Sequence, residues 1–210
     1  MKSKTSSIAT TCNHYKRKFT PIDCYSALIF FPRALAVLKQ NRKQPLIDEQ
    51  FIERIMLAVT EVNGCAVCSW AHTQMALQQG MTAEEISCLL SNKKTYIKAE
   101  EAKGIIFAQH YADTRGRPDR KAYQVIIDEY GSEKSTVILS AAQVIFTGNV
   151  YGITYSALIS RLKGKSYTDS SLLREISFLI LDILIIPPAL IHVLFRKILG
   201  LPNYKMVNSE

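Results

Sequence analysis

Apolar positions recur along most of this chain at intervals of three and four, a spacing that predicts helices nearly throughout. Tyr25, Leu28, Ile29, Phe31, Leu35 and Leu38 suggest a helix pair broken around Pro32, since proline removes a helical hydrogen bond. Phe51, Ile52, Ile55, Met56 and Val59 line one face of a helix that Asp48 caps and Asn63-Gly64 ends. The next helix opens at Cys65 and runs to about Gln79, where Gly80 stops it. Thr82-x-x-Glu85 reads as a capping box for a helix reaching about Leu90. Residues 97–111, 119–130 and 135–147 are further helices, divided by the Gly/Pro-containing loop 114–119 and by Gly131, with Gly148-Asn149 after the last. No convincing alternation of period two occurs. The fold class is all-α.

The two ends depart from this pattern. Residues 1–20 are polar, basic and rich in Ser and Thr, without the apolar run of a secretory signal, and read as a disordered basic arm. Residues 21–168 form the helical domain, and 169–210 a hydrophobic C-terminal helical extension. Within it, residues 176–195 are almost continuous Ile, Leu, Val and Phe, long enough to cross a bilayer by the ~20-residue criterion. Asp182 and Pro187-Pro188 argue against a clean span, so two short helices forming a buried hairpin are expected. Membrane contact through 176–195 is the alternative. Asp182 and His192 are candidates to pair across that hairpin.

Composition changes this picture little. At 210 residues the chain can bury a sizeable core. The net charge of +8 comes from scattered basic residues with no aromatic-interleaved stripe, which argues against nucleic acid and for a basic surface that attracts acidic partners or anionic lipid. Five cysteines, an odd number, argue for a reducing compartment and a cytoplasmic protein, with membrane association as the alternative. Cys12, Cys24 and Cys88 read as free thiols.

The chemistry concentrates in E-R-I-M-L-A-V-T-E-V-N-G-C-A-V-C-S-W-A-H, residues 53–72. Cys65 and Cys68 lie one helical turn apart, close enough to form a disulfide, and His72 shares their face. A helix N-terminus favours the thiolate. Glu53 precedes the first cysteine by twelve residues, and Glu61 is a rival carboxylate four residues before it. A zinc site is a second reading of Cys65, Cys68 and His72, with Cys12, His14 or Cys24 as the fourth ligand. The sequence lacks the paired knuckles that structural zinc usually requires.

The pattern E-x11-C-x2-C-x3-H resembles the alkylhydroperoxidase AhpD-like branch of the carboxymuconolactone decarboxylase superfamily, over about residues 21–165. The resemblance implies an all-helical protein forming homo-oligomers (trimers or hexamers) and acting as a peroxidase or thiol-disulfide oxidoreductase. It assigns Cys68 as the thiol that attacks a hydroperoxide, Cys65 as the resolving thiol, and Glu53 with His72 as the proton relay. No cofactor or metal is implied. The electron donor would be a small thiol, or a lipoyl-bearing or thioredoxin-like protein. An apolar pocket lined by Trp70 and tyrosines would favour an organic peroxide. Some peroxidase members carry a histidine between the cysteines, where this chain has Val67. A non-catalytic redox sensor or disulfide-exchange protein is the alternative, with lactone decarboxylation ranked below it. Segment 148–156 faintly echoes 64–72 without its reactive groups, and Gly148-Asn149 and Gly152 are read as allowing close helix packing.

Overall fold

A computed structural model describes residues 14–91 and 97–207. Among them the regular structure is helical, apart from one isolated parallel bridge between Asp119 and Val207. The elements are α1 (Pro21–Lys43), α2 (Glu49–Asn63), α3 (Ala66–Gln78), α4 (Ala83–Leu90), a 3-10 turn (Ala99–Glu101), α5 (Ala102–Asp113), α6 (Arg120–Leu162, kinked at Gly131) and α7 (Leu172–Ile198).

Side-chain caps set several helix starts. Thr20 and Asp23 close a reciprocal box on α1, and Asp48 accepts from the Phe51 amide at 2.8 Å. Thr82 caps α4 through the Glu85 amide, while the Glu85 carboxylate turns instead to Arg54, 2.7 Å away. Gly64 ends α2 in the left-handed conformation at φ 74°, which an L side chain adopts only under strain.

Helices α2, α5 and the second half of α6 share the main core, where Ile55, Val59, Ile105 and Ile138 are fully buried. Burial of each such side chain stabilises the fold by roughly 1.5–3 kcal/mol. The buried Arg54 ties α2 to α4 through Glu85 and to the 3-10 turn through Glu101, at 2.7 and 3.1 Å. Charges so far from water hold only when paired.

Four expectations are corrected. First, α1 runs unbroken through Pro32, because Ala27 and Phe30 before it and Ala34 and Leu38 after it are buried on one helix. Second, α6 passes through Gly148-Asn149 to Leu162. Third, residues 176–195 belong to one helix and not a hairpin, with Pro187 and Pro188 inside it. Asp182 and His192 do not pair with each other. Both turn toward α1, where Asp182 lies beside the Cys24 thiol and Tyr25 Oη lies 2.8 Å from His192 Nδ1. Fourth, the arm expected over 1–20 is ordered from residue 14. Phe19 is buried against the edge of Phe146, Tyr15 Oη meets Ser170 Oγ at 2.8 Å, and Lys18 pairs with Asp169 at 2.9 Å. The rest of that arm, residues 1–13 with Cys12, lies outside the described residues.

Burial raises the Asp182 carboxyl to about 6, although the Cys24 thiol offsets part of that rise. A carboxyl raised on folding favours its neutral form in the folded chain. Its contribution is therefore full below the unfolded value near 4 and is lost as pH climbs through about 6. Asp182→Asn is expected to raise the melting temperature at pH 7.5, by the equivalent of about 1–2 kcal/mol, and to leave it unchanged at pH 4. Thermal melts of both proteins at the two pH values check this.

Candidate active site

Helices α2 and α3 are joined directly at Gly64-Cys65, and the reactive side chains gather on these two helices. Gly64 closes α2, and Cys65 immediately serves as the N-cap of α3, its sulfur accepting from the Cys68 amide at 3.3 Å. Cys65 and Cys68 are joined as a disulfide, with their Cα atoms 5.3 Å apart. Cys65 is fully buried, whereas Cys68 retains 8 % exposure.

His72, one turn further along α3, places Nδ1 2.8 Å from Glu53 Oε2. The Glu53 side chain is only 3 % exposed and that of His72 15 %, so their contact is largely shielded from water. A carboxylate on one imidazole nitrogen fixes the ring's orientation and leaves the other nitrogen to move a proton. The chain thus brings Glu53, Cys65, Cys68 and His72 into one region at the α2–α3 junction.

Glu61 is not part of it. Its carboxylate pairs with Lys16 at 2.6 Å, and the same ammonium reaches the Glu61 carbonyl. Lys16 belongs to the ordered strap 14–20, which crosses the α2–α3 turn so closely that a Cβ on Gly64 would lie 2.4 Å from Lys16 Cβ. Trp70 is 63 % exposed and so does not wall a pocket within the chain. Nor does Cys24 approach the pair as a fourth ligand: it lies on α1 beside Asp182, and burial pushes its thiol up to about 12.

The seat of the disulfide comes from α6, which sequence reasoning read only as packing. Gly152 lies against both sulfurs: a Cβ there would come within 2.8 Å of Cys65 Sγ and 3.0 Å of Cys68 Sγ. The Gly148 carbonyl is 3.5 Å from Cys68 Sγ. Ser156 Oγ accepts from the Val67 amide at 3.3 Å, satisfying another free N–H of the first turn of α3. Asn149 Oδ1 accepts from Asn63 at 3.0 Å, and Asn149 Nδ2 donates to Thr60 at 3.1 Å, all in fully buried positions. Thr60 was missed, and Asn149 and Ser156 were noticed only through the faint echo of 64–72, Asn149 being read as packing.

The sequence profile of the carboxymuconolactone decarboxylase family matches residues 30–108, which hold α2, α3 and all four clustered residues. This segment belongs to that family. The AhpD-like superfamily expectation is thereby met, together with its all-α fold. The chain is also similar to an uncharacterized protein, YdfG, of Bacillus subtilis (strain 168), with 28 % identity over 100 residues. That similarity covers 46 % of this chain and 67 % of the relative. The α6 residues of the site lie beyond the family match.

Gly152→Ala is expected to force α3 off α6, destabilising the fold by about 1–3 kcal/mol. It should also slow formation of the Cys65–Cys68 disulfide. Denaturant melts and a thiol-oxidation time course would show both effects, and an unchanged melt would mean the contact is not the tight one described.

Proposed function

We propose that the protein is an AhpD-like thiol-disulfide oxidoreductase that reduces organic hydroperoxides. The observation that supports this most directly is the Glu53–His72 hydrogen bond beside a joined Cys65–Cys68 pair. In the reduced protein, the Cys68 thiolate attacks the terminal oxygen of the hydroperoxide. The O–O bond breaks, and His72, reset through Glu53, supplies the proton that releases an alcohol. Cys68 is then a sulfenic acid. Attack by the Cys65 sulfur forms the disulfide and releases water.

An external thiol donor, small or carried on a lipoyl-bearing or thioredoxin-like protein, returns the two electrons. Exposure favours its attack at Cys68, since Cys65 is fully buried. Cys65 then leaves as a thiolate that the Cys68 amide and the α3 N-terminus stabilise, and a stabilised thiolate leaves faster. The exposed Trp70, between Cys68 and His72 on α3, suits a second subunit, in keeping with a homo-oligomer (trimer or hexamer).

The test is consumption of an organic hydroperoxide by purified protein with excess dithiol. Cys68→Ser should abolish turnover, and Cys65→Ser should permit one turnover and trap a sulfenic acid that a dimedone probe labels. Equal survival of both variants would sink the assignment. An oxidisable pair with no turnover in the wild type would leave a redox sensor or a disulfide-exchange protein. Glu53→Gln should lower kcat by about 10²–10⁴-fold while the isolated pair still oxidises with diamide. A kcat unchanged by that substitution would remove the relay from the mechanism.

A further inference from the structure

Among the described residues, three helices are long and apolar enough to cross a membrane by length and composition alone, but they differ in what covers them. The most apolar window is 39 % buried in α1, 72 % in α6 and only 17 % in α7. Twelve Leu, Ile and Phe side chains between Leu172 and Ile198 are 42–78 % exposed. At 100° per residue, Ile176, Ile180, Ile183, Leu184, Ile191 and Leu194 fall on one outer stripe, along a helix roughly 40 Å long. Monomers rarely expose contiguous apolar patches beyond about 300–600 Å².

Charge distinguishes what could cover this stripe. The two acidic residues of α7, Glu175 and Asp182, are turned inward at 0 and 6 % exposure, and Glu175 pairs with Arg161 at 2.8 Å. The other charged residues of the helix are Arg174 near its start and Arg196 and Lys197 near its end. Beside that end a cleft of about 470 Å³ opens between α1 and α7, walled by Tyr25, Phe30, Arg117, His192, Arg196 and Lys205 among others. No Asp or Glu lines it. Among the described residues, Arg117, Arg196 and Lys205 have no carboxylate partner within ion-pair distance. The Arg196 guanidinium is held at the wall, 5.1 Å over the Phe30 ring and donating to the Pro202 carbonyl at 2.6 Å.

We propose that α7 docks the protein on an anionic lipid bilayer, lying flat. The outer stripe sinks to the acyl boundary, and a lipid phosphate enters the cationic cleft. Helices of this kind bind through buried apolar area plus attraction to anionic headgroups. A spanning orientation would strip the inner face of α7 from α1 and α6, exposing Asp182 and breaking the Arg161–Glu175 pair. A second copy of this chain, itself at net charge +8, would bring no acidic side chain on its matching stripe to neutralise Arg174, Arg196 and Lys197. Lipid phosphate supplies that negative charge.

The experiment is co-sedimentation of the full chain with vesicles of phosphatidylcholine alone, or of phosphatidylcholine containing phosphatidylglycerol. The expected result is binding at least about tenfold tighter to the anionic vesicles, weakening as salt rises. Ile183→Ser with Leu184→Ser should lose binding to both vesicle types. Arg117→Ser with Lys205→Ser should lose only the preference for anionic lipid. All four side chains lie at the surface or at the cleft wall, so thermal melts of both variants should match the wild type. Equal binding to neutral and anionic vesicles would overturn the proposal. So would resistance to alkaline carbonate extraction, which would indicate a spanning helix. Absence of vesicle binding, with an oligomer that the Ile183/Leu184 variant dissociates by light scattering, would make α7 a subunit interface instead.

Discussion

The constraint on which the site depends is the approach of the α3 N-terminus to a bare stretch of α6 backbone at Gly152. The cysteine pair can sit inside the protein only because no side chain occupies that position. Once α3 is this close, its unsatisfied amides must find partners away from water. The Val67 amide takes Ser156 Oγ, and the Cys68 amide takes the sulfur of Cys65. The same approach buries the α2–α3 turn, and so fixes the Asn63–Asn149–Thr60 network beside it. A sulfur pair, a glycine and four polar side chains therefore form one packing unit, drawn from helices far apart in sequence.

Helix α2 shows how burial forces charges into distinct tasks. Glu53 and Arg54 are neighbours in sequence, yet successive helical side chains diverge by about 100°. Glu53 faces α3 and meets His72, whereas Arg54 faces α4 and the 3-10 turn and holds Glu85 and Glu101. Had the two faced each other, they would have formed an ion pair, and the carboxylate would have had less capacity to polarise an imidazole. The buried arginine ties α2 to α4 and the 3-10 turn, on a different face from the one that presents Glu53 to His72.

How much of this the sequence could reveal depended on whether the deciding contact was local. Asp48, Gly64 and Thr82 set helix ends, and Gly131 a kink, through the backbone a few residues away, and those positions were legible. The Glu53–His72 meeting was legible only as what the family resemblance implies. Pro32, Gly148-Asn149 and Pro187-Pro188 misled, because each is a breaker by local rules and each lies inside a continuous helix. Tertiary packing decides there: buried residues on both sides of each breaker share a face, and ending the helix would have uncovered them. Glu61 misled for the same reason in reverse, since the residue that occupies it, Lys16, comes from a segment that composition alone marks as solvent-bound.

Asp182 shows why α7 belongs to this body although its outer face is uncovered. An aspartate in an otherwise apolar helix is costly wherever it is buried without a partner. Here it lies beside the Cys24 thiol with Oδ1 left without a hydrogen-bond partner, and Tyr151 donates to the neighbouring Cys24 carbonyl at 3.1 Å. The neighbours of Asp182 and His192 on α1 favour one rotation of α7 about its axis. Apolar packing of Ala189 against Ile29 and Phe30 alone would tolerate neighbouring rotations, since the helix is hydrophobic nearly all round. The buried carboxyl thus aims the stripe outward and keeps His192 and Arg196 at the edge of the cationic cleft. Stability is sacrificed at Asp182, and the orientation of α7 is what it secures.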